Sequence, residues 1–318
     1  MKRTNAYRYE DVTLVPSYSE CQSRSDLSTS IKLGKKVFKL PVVLANMRAV
    51  IDIELAEELS KKNYFYIMHR FDVDTIKFVH NANVNDWKCI SISVGVKEED
   101  YELILQLASL KLKVDYITVD IAHGHSKRMG DMLIHIKRCL PDTFVIAGNV
   151  ATVDAVMDLN DWGADCVNVG IGQGHVCTTK DKTGFTAPMF TCVQECVGMH
   201  DIPIIADGGI RCTGDIAKAL VAGAEMVMMG SQFSACLDSP AETVNRDGAV
   251  YKRYFGSASV YNKRTKRHIE GIMKEIPCNQ MTVSEKLLEI TDDLKSAISY
   301  AGGNDLGAFN YVEYNILK

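Results

Sequence analysis

The sequence predicts a (β/α)8 barrel, and three observations carry that reading. Short runs rich in Val and Ile recur eight times, each reading as a strand buried on both faces, as parallel strands are. They begin at 42, 64, 89, 116, 144, 166, 203 and 226, mostly 22–28 residues apart, the size of a strand with its helix. Polar residues gather at the C-terminal ends of these runs: Asn46, His69, Asp120, His123, Asn149, Asp207 and Ser231. In a barrel those ends share one mouth, where active sites form. A doubly wound open sheet is the competing arrangement, and the repeat count of eight favours the barrel. The expectation is one barrel domain over 1–318, with an N-terminal extension and a C-terminal helix and tail.

The elements follow in order. "VVLAN" at 42 is the first strand, and "DIELAEELSKKN" is its amphipathic helix. "YFYIMH" at 64 and "CISISV" at 89 are the second and third, and "EEDYELILQLASL" follows as helix. "YITVDIA" at 116 and "FVIAGN" at 144 come next. "TVDAVMDLNDWGA" opens with Thr before an acidic residue and closes on Gly, as capped helices do, and "TGDIAKALVAGA" repeats the pattern. "CVNVGIG" at 166 is the sixth strand, and the next, "PIIADGG", starts 37 residues later, so an elaborated loop lies between them. "MVMMGS" at 226 completes the eight. The chain then runs through "YFGSAS" and a polar stretch holding Glu270. It ends on an amphipathic helix stopped by Gly302 and Gly303.

Composition narrows the function classes. The 318 residues are 47% hydrophobic and 24% charged, with a formal net charge of -4, so no nucleic-acid or anionic-membrane surface is implied. No apolar run reaches the ~20 residues of a membrane span, and the N-terminus lacks an apolar signal core. A cytoplasmic protein is expected. The ten cysteines are scattered and contain no CxxC, which fits neither a zinc knuckle nor a disulfide framework.

The loop after the sixth strand, "GIGQGHVCTTK", carries Cys177 at the barrel mouth, where a thiol is exposed and can be a nucleophile. Its glycines let carbonyls or amides turn inward. The seventh and eighth strands end in "ADGGI" and "MMGSQF", turns whose amides suit a phosphate. Asp207 would repel a phosphate and is better placed to accept hydrogen bonds from ribose hydroxyls. His123 and His125 form a His-x-His pair that a metal-dependent hydrolase could use, with His69 and Asp207 as the remaining candidate ligands.

"ANM" at 45, "DIAHGHS" at 120, "IAGNV" at 146, the cysteine loop, "ADGGIR", "MMGS", "YFGSAS", "EG" at 270 and "SYAGG" stand in the order found in the IMP dehydrogenase/GMP reductase family, which the chain resembles from Tyr9 to beyond Tyr300. Dehydrogenases of that family usually carry CBS domains after the second strand and a long flap before the "EG" segment. Here about 20 residues separate His69 from the third strand, and Gly256 and Glu270 are 14 positions apart. The chain is similar to the short, bacterial-like reductase branch. The dehydrogenase activity, and a barrel that binds purine nucleotides without turnover, are the alternatives.

The resemblance implies NADPH-dependent reductive deamination of GMP to IMP and ammonia. It makes Cys177 the nucleophile at purine C2, forming a thioimidate, with Thr179 and Glu270 managing the proton of the leaving ammonia. The GMP phosphate falls at Gly209, Gly230 and Ser231 and the ribose at Asp207. Further nucleotide contacts fall on Gly256, Ser257, Ala258, Arg267 and Gly271. NADPH contacts fall on Ser23, Arg24, Arg70, Asp120, Ile121, Ala122 and Gly172, with Ser296 and Ser299 supplied by a neighbouring subunit of a homotetramer. A potassium ion would rest on carbonyls of Gly172, Gly174 and Cys177. Gln173, His175, Arg48 and the run "TGFTAPMF" depart from the family's commoner residues.

Overall fold

The computed structural model describes residues 5–198 and 201–317. Seven parallel strands form one sheet, in the order Val42–Leu44, Met226–Met229, Ile204–Asp207, Cys166–Val169, Phe144–Val150, Tyr116–Asp120 and Ser91–Val94. The run at 64–69 lies between the two edges of that sheet. It meets them only through single parallel bridges, Leu44 to Tyr66 and Met68 to Ile92. Those bridges close the curl into a (β/α)8 barrel. Each residue from Tyr64 to His69 is buried, so the eighth stave is held by packing more than by a ladder.

Burial explains the sequence pattern. Every residue of Val42–Leu44, Ser91–Val94, Cys166–Val169 and Met226–Met229 is buried, because helices cover the outside and side chains fill the inside. The hairpin of Ile31–Leu33 and Lys36–Phe38 plugs the N-terminal end. Phe38, Phe65, Tyr116 and Phe144 pack there tilted or edge-on with centroids 5.0–6.0 Å apart, and Tyr116 donates to the Leu33 carbonyl at 2.7 Å. That leaves the C-terminal mouth as the open end.

The helices begin near where capping chemistry predicts. Asp52 caps Ile53–Lys62 and Thr152 caps Val153–Asp161. In Thr213–Val221 the cap moves back to Cys212, with Asp215 closing the box. Three barrel helices not singled out in the sequence, Thr75–Val84, Lys127–Cys139 and Met189–Val197, complete their units.

Beyond the eighth strand the chain makes a three-stranded antiparallel sheet of Thr243–Arg246, Ala249–Phe255 and Met273–Pro277. Sequence reading passed over it, although Asp247-Gly248, both at positive φ, is a hairpin signal. The sheet matters for function. Phe255 pairs with Met273, so residues 256–272 form a closed loop anchored at both ends. The terminal helix Val283–Ala301 stops at Gly302 as expected. The two extensions then meet, Val12–Leu14 pairing antiparallel with Tyr314–Ile316.

Candidate active site

The cysteine loop leaves the sixth strand at Gly170, whose backbone lies against the seventh. A side chain at this residue (φ 144°) would collide with the Asp207 carbonyl, so only glycine lets the two strand ends close up. The loop then meets the returning end of the 256–272 segment. Cys177 bridges antiparallel to Gly271, Thr178 N donates to Glu270 O at 2.8 Å, and Ile272 N donates to Val176 O at 2.9 Å. This short zipper brings three side chains into line. The Cys177 thiol donates to Thr179 Oγ1 at 3.2 Å, and that hydroxyl donates to Glu270 Oε2 at 2.7 Å. A thiol, a hydroxyl and a carboxylate in series form a path along which a proton can leave sulfur and be held at oxygen.

Opposite the thiol lies the barrel rim. A register shift between Gly148 and Val150 turns Asn149 toward the mouth. Its amide donates to Asp207 Oδ2 at 2.7 Å and to Gly170 O at 2.8 Å, while Asn168 donates to Asn149 Oδ1 at 3.1 Å. Burial pushes the Asp207 carboxyl up to about 6, with the Asp120 charge adding to the rise and the amides of Asn149 and Asn168 opposing it. Asp120 accepts from Asn46 at 2.9 Å, and its carbonyl takes Arg70 at 3.3 Å.

At the far end of the cleft, Gly208 and Gly209 (φ 98° and 81°) and the Gly230–Ser231 turn present backbone to the same corner. Tyr254 sits against Gly230 so tightly that a methyl group there would strike its hydroxyl. His175, Arg211 and Lys274 line this end too. Burial lowers the His175 imidazole, and the charges of Lys274 and Arg211 lower it further. A corner with backbone amides and two cationic side chains, Arg211 and Lys274, is suited to an anion.

These features belong to one cleft of about 1030 Å³. Of the residues singled out in the sequence, Cys177, Thr179, Glu270, Asp207, Gly209, Gly230, Ser231, Gly256, Ser257, Ala258 and Gly271 line it together. So do Arg70, Asp120, Ile121, Ala122, Gly172 and Gly174. Arg267 is not in the lining; it is exposed on the 256–272 segment. Ser23, Arg24, Ser296 and Ser299 also lie outside, in a cluster of their own. Arg24 donates to Ser296 Oγ at 3.1 Å and lies 5.6 Å from the Tyr300 ring centroid, and Ser299 donates to Ser296 O at 2.7 Å. The His-x-His pair does not build a metal centre. His125 pairs with Asp158 at 2.7 Å, and among the described residues no three of His, Cys, Asp and Glu converge as ligands.

Sequence reading missed Arg211, Lys274 and Tyr254 as cleft residues. Arg211 had a signal, since it follows the glycine turn in "ADGGIR". Tyr254 and Lys274 face each other across paired strands, which only the overlooked sheet reveals.

The comparisons with known proteins agree with this geometry. The family model described as IMP dehydrogenase / GMP reductase domain matches residues 6–314. A protein named GMP reductase from Bacillus subtilis (strain 168) is 48% identical over 317 residues, covering 99% of this chain and 97% of its own. One of the same name from Mesoplasma florum is 49% identical, covering 98% of each, and another from Bacillus cereus is 48% identical, covering 99% and 96%. The chain therefore belongs to the IMP dehydrogenase/GMP reductase family.

Proposed function

We propose that the protein catalyses the NADPH-dependent reductive deamination of GMP to IMP and ammonia. The observation that carries this reading is the Cys177–Thr179–Glu270 hydrogen-bond chain, facing a cleft whose other end is an anion corner. It is supported by near full-length relatives named GMP reductase.

The residues divide the work. The phosphate goes to the backbone at Gly209, Gly230 and Ser231, with Arg211 and Lys274 supplying positive charge and the uncharged His175 imidazole beside them. The ribose hydroxyls donate to Asp207, which Asn149 holds in place. Gly256, Ser257, Ala258 and Gly271 form the wall over the nucleotide. This grip sets purine C2 before Cys177. The thiol proton passes by way of Thr179 to Glu270, and the sulfur bonds to C2. Glu270 then returns a proton to the departing amine as the C2–N bond breaks, leaving the base bound to Cys177 as a thioimidate. A purine amine is a poor leaving group, and covalent catalysis with a placed acid splits its loss into easier steps. NADPH, when bound, supplies the hydride that replaces sulfur at C2.

The cofactor fits beside Arg70, Asp120, Ile121, Ala122 and Gly172, which continue the cleft beyond the thiol. Arg70 offers an Nε that is buried with no partner among the described residues. Ser23 and Arg24, with Ser296 and Ser299 from a neighbouring subunit of a tetramer, would hold its far end. The exposed tyrosines Tyr18 and Tyr300 on that side favour a covered face. A potassium ion fits the carbonyls of Gly172, Gly174 and Cys177. Gly174 O already accepts Cys177 N at 3.1 Å and keeps a lone pair. Ten cysteines with no disulfide among them support a reducing compartment such as the cytoplasm.

An absorbance assay at the reduced-nicotinamide band decides the activity. Oxidation of NADPH with GMP is expected; NAD reduction with IMP alone would establish the dehydrogenase instead.

A further inference from the structure

Asp72 lies between the second barrel strand and the helix Thr75–Val84, and its Oδ2 receives two guanidinium groups. Arg48 Nη1 and Arg264 Nη2 each lie 2.9 Å from it. The three residues come from three separate loops at the cleft mouth. Arg48 follows Asn46 and Met47, and Asp72 follows Arg70 and Phe71, all four of which line the cleft. Arg264 lies on the 256–272 segment, six positions before Glu270. Asp72 (φ 52°) and Arg264 (φ 54°) both take left-handed backbone, which non-glycine residues adopt at a cost. The chain is bent on both sides of this contact.

The other contacts of the segment do not make that crossing. Asn262 donates to Ser257 O, Lys263 to His268 O, and Arg267 N to Thr265 Oγ1, all within the segment. Tyr261 donates to Glu242, beside the sheet. Among the described polar contacts, Arg264 to Asp72 is the one that ties residues 260–268 to the loops after the first two barrel strands. His69, buried beneath, adds no competing charge. Burial and then the Arg48 charge hold its imidazole down at about 4, against the opposing pull of Asp72.

We propose that Asp72 is a positioning residue for Glu270. Arg48 fixes the carboxylate, the carboxylate holds Arg264, and the held segment keeps Glu270 in register with Thr179 and Cys177. The proposal rests on the reading of Glu270 as the proton carrier, and it makes a separate demand on the loop itself. Exposed ion pairs are individually weak, so the effect is graded and does not amount to loss of the enzyme.

The test uses the intact enzyme with Asp72→Asn, Arg264→Gln and the double variant. Removing both pairs at Asp72 is expected to lower kcat about three- to ten-fold, with the KM for GMP unchanged because the nucleotide is gripped by the barrel rim. Arg264→Gln lowers kcat in the same way, and the double variant falls no further than Asp72→Asn, since both changes break one contact. Asp72→Glu recovers most of the loss. An unchanged or raised kcat, or fully additive losses, overturns the proposal. Limited trypsin digestion reads the latch without any turnover. Lys263, Arg264, Lys266 and Arg267 are cleavage sites on the segment, and Asp72→Asn is expected to be cut there several-fold faster than wild type. Equal cutting overturns the latch whatever Glu270 does. Faster cutting together with wild-type turnover in Glu270→Gln would instead sink the proton-carrier reading and leave the latch standing.

Discussion

The two walls of the cleft are made differently. The barrel rim holds its polar groups on strand ends whose neighbours are buried, and Asn149, Asn168 and Asp207 fix one another through hydrogen bonds of 2.7–3.1 Å. The opposite wall is a loop of 17 residues, 256–272, strung between paired strands, joined to the cysteine loop by a short zipper and to the rim by one exposed charge contact. The rim is suited to hold a nucleotide in one place. The loop is suited to bring an acid to it. Damage to the rim should then appear in substrate affinity, and damage to the thiol or to the acid that the loop carries in the rate.

Cys177→Ala is the strongest challenge to this division. It sits where the walls meet, and turnover should disappear while GMP still binds. Mass spectrometry of a quenched wild-type reaction should show a purine adduct on Cys177. An adduct on another cysteine, or residual wild-type turnover in the variant, defeats the assignment. Glu270→Gln comes next. Loss of an acid–base group costs about 10²–10⁴-fold in rate, and here the loss should fall on kcat. An effect confined to KM would mean that the loop wall only binds substrate.

The rim is probed through Asp207. Its carboxyl is pushed up to about 6 by burial. As pH falls through that value Asp207 takes up a proton and loses acceptor capacity for the ribose, so the KM for GMP should rise toward acid. The GMP phosphate titrates in the same range, and Asp207→Asn separates the two, since only the phosphate limb should remain in that variant. The sign for stability runs the other way. The folded state holds this proton more tightly than the unfolded chain, so the contribution of Asp207 to stability falls as pH rises from about 4 to about 6 and is regained on acidification. A wild-type KM profile between pH 5 and 8 identical in shape to that of Asp207→Asn would show that Asp207 does not touch substrate.

The same two walls differ in how far the sequence discloses them. The rim is legible because a parallel strand buried on both faces writes itself as an unbroken apolar run, and the polar residue that ends the run marks the mouth. Even "YFYIMH", which forms bridges in place of a ladder, carries that mark. The loop wall is not legible by pattern. Its supporting sheet includes Lys252, which reads as a surface residue. It is instead 2% exposed, with its ammonium donating to the carbonyls of Leu237, Ser239 and Ala241 at 2.9–3.2 Å. Thr179 and Glu270 are 91 positions apart, and no periodicity connects them. Only the family resemblance paired them before the structure did. Arg48 shows the reverse. It stood out as a departure from its motif, and its partner Asp72 became visible only in three dimensions.

The smallest expected effect concerns a third region, outside both walls. Tyr300 is 61% exposed at the end of the terminal helix, and its ring lies under Arg24, beside Ser296 and Ser299. Deleting the whole segment would be a poor test, because Ile298 and Phe309 are buried in the core and the last strand pairs with Val12–Leu14. Tyr300→Ala is cleaner. An exposed cation–π contact contributes only about 0.5–1 kcal/mol, so the fold should hold and the melting temperature should barely move. If this cluster completes the cofactor site of a neighbouring subunit, the variant should raise the KM for NADPH a few-fold, with the KM for GMP unaffected. Light scattering on the same samples should report a homo-oligomer for wild type. A fully active monomer, or a variant whose NADPH affinity matches wild type, would confine the active site to one chain and leave the exposed tyrosines without a role in catalysis.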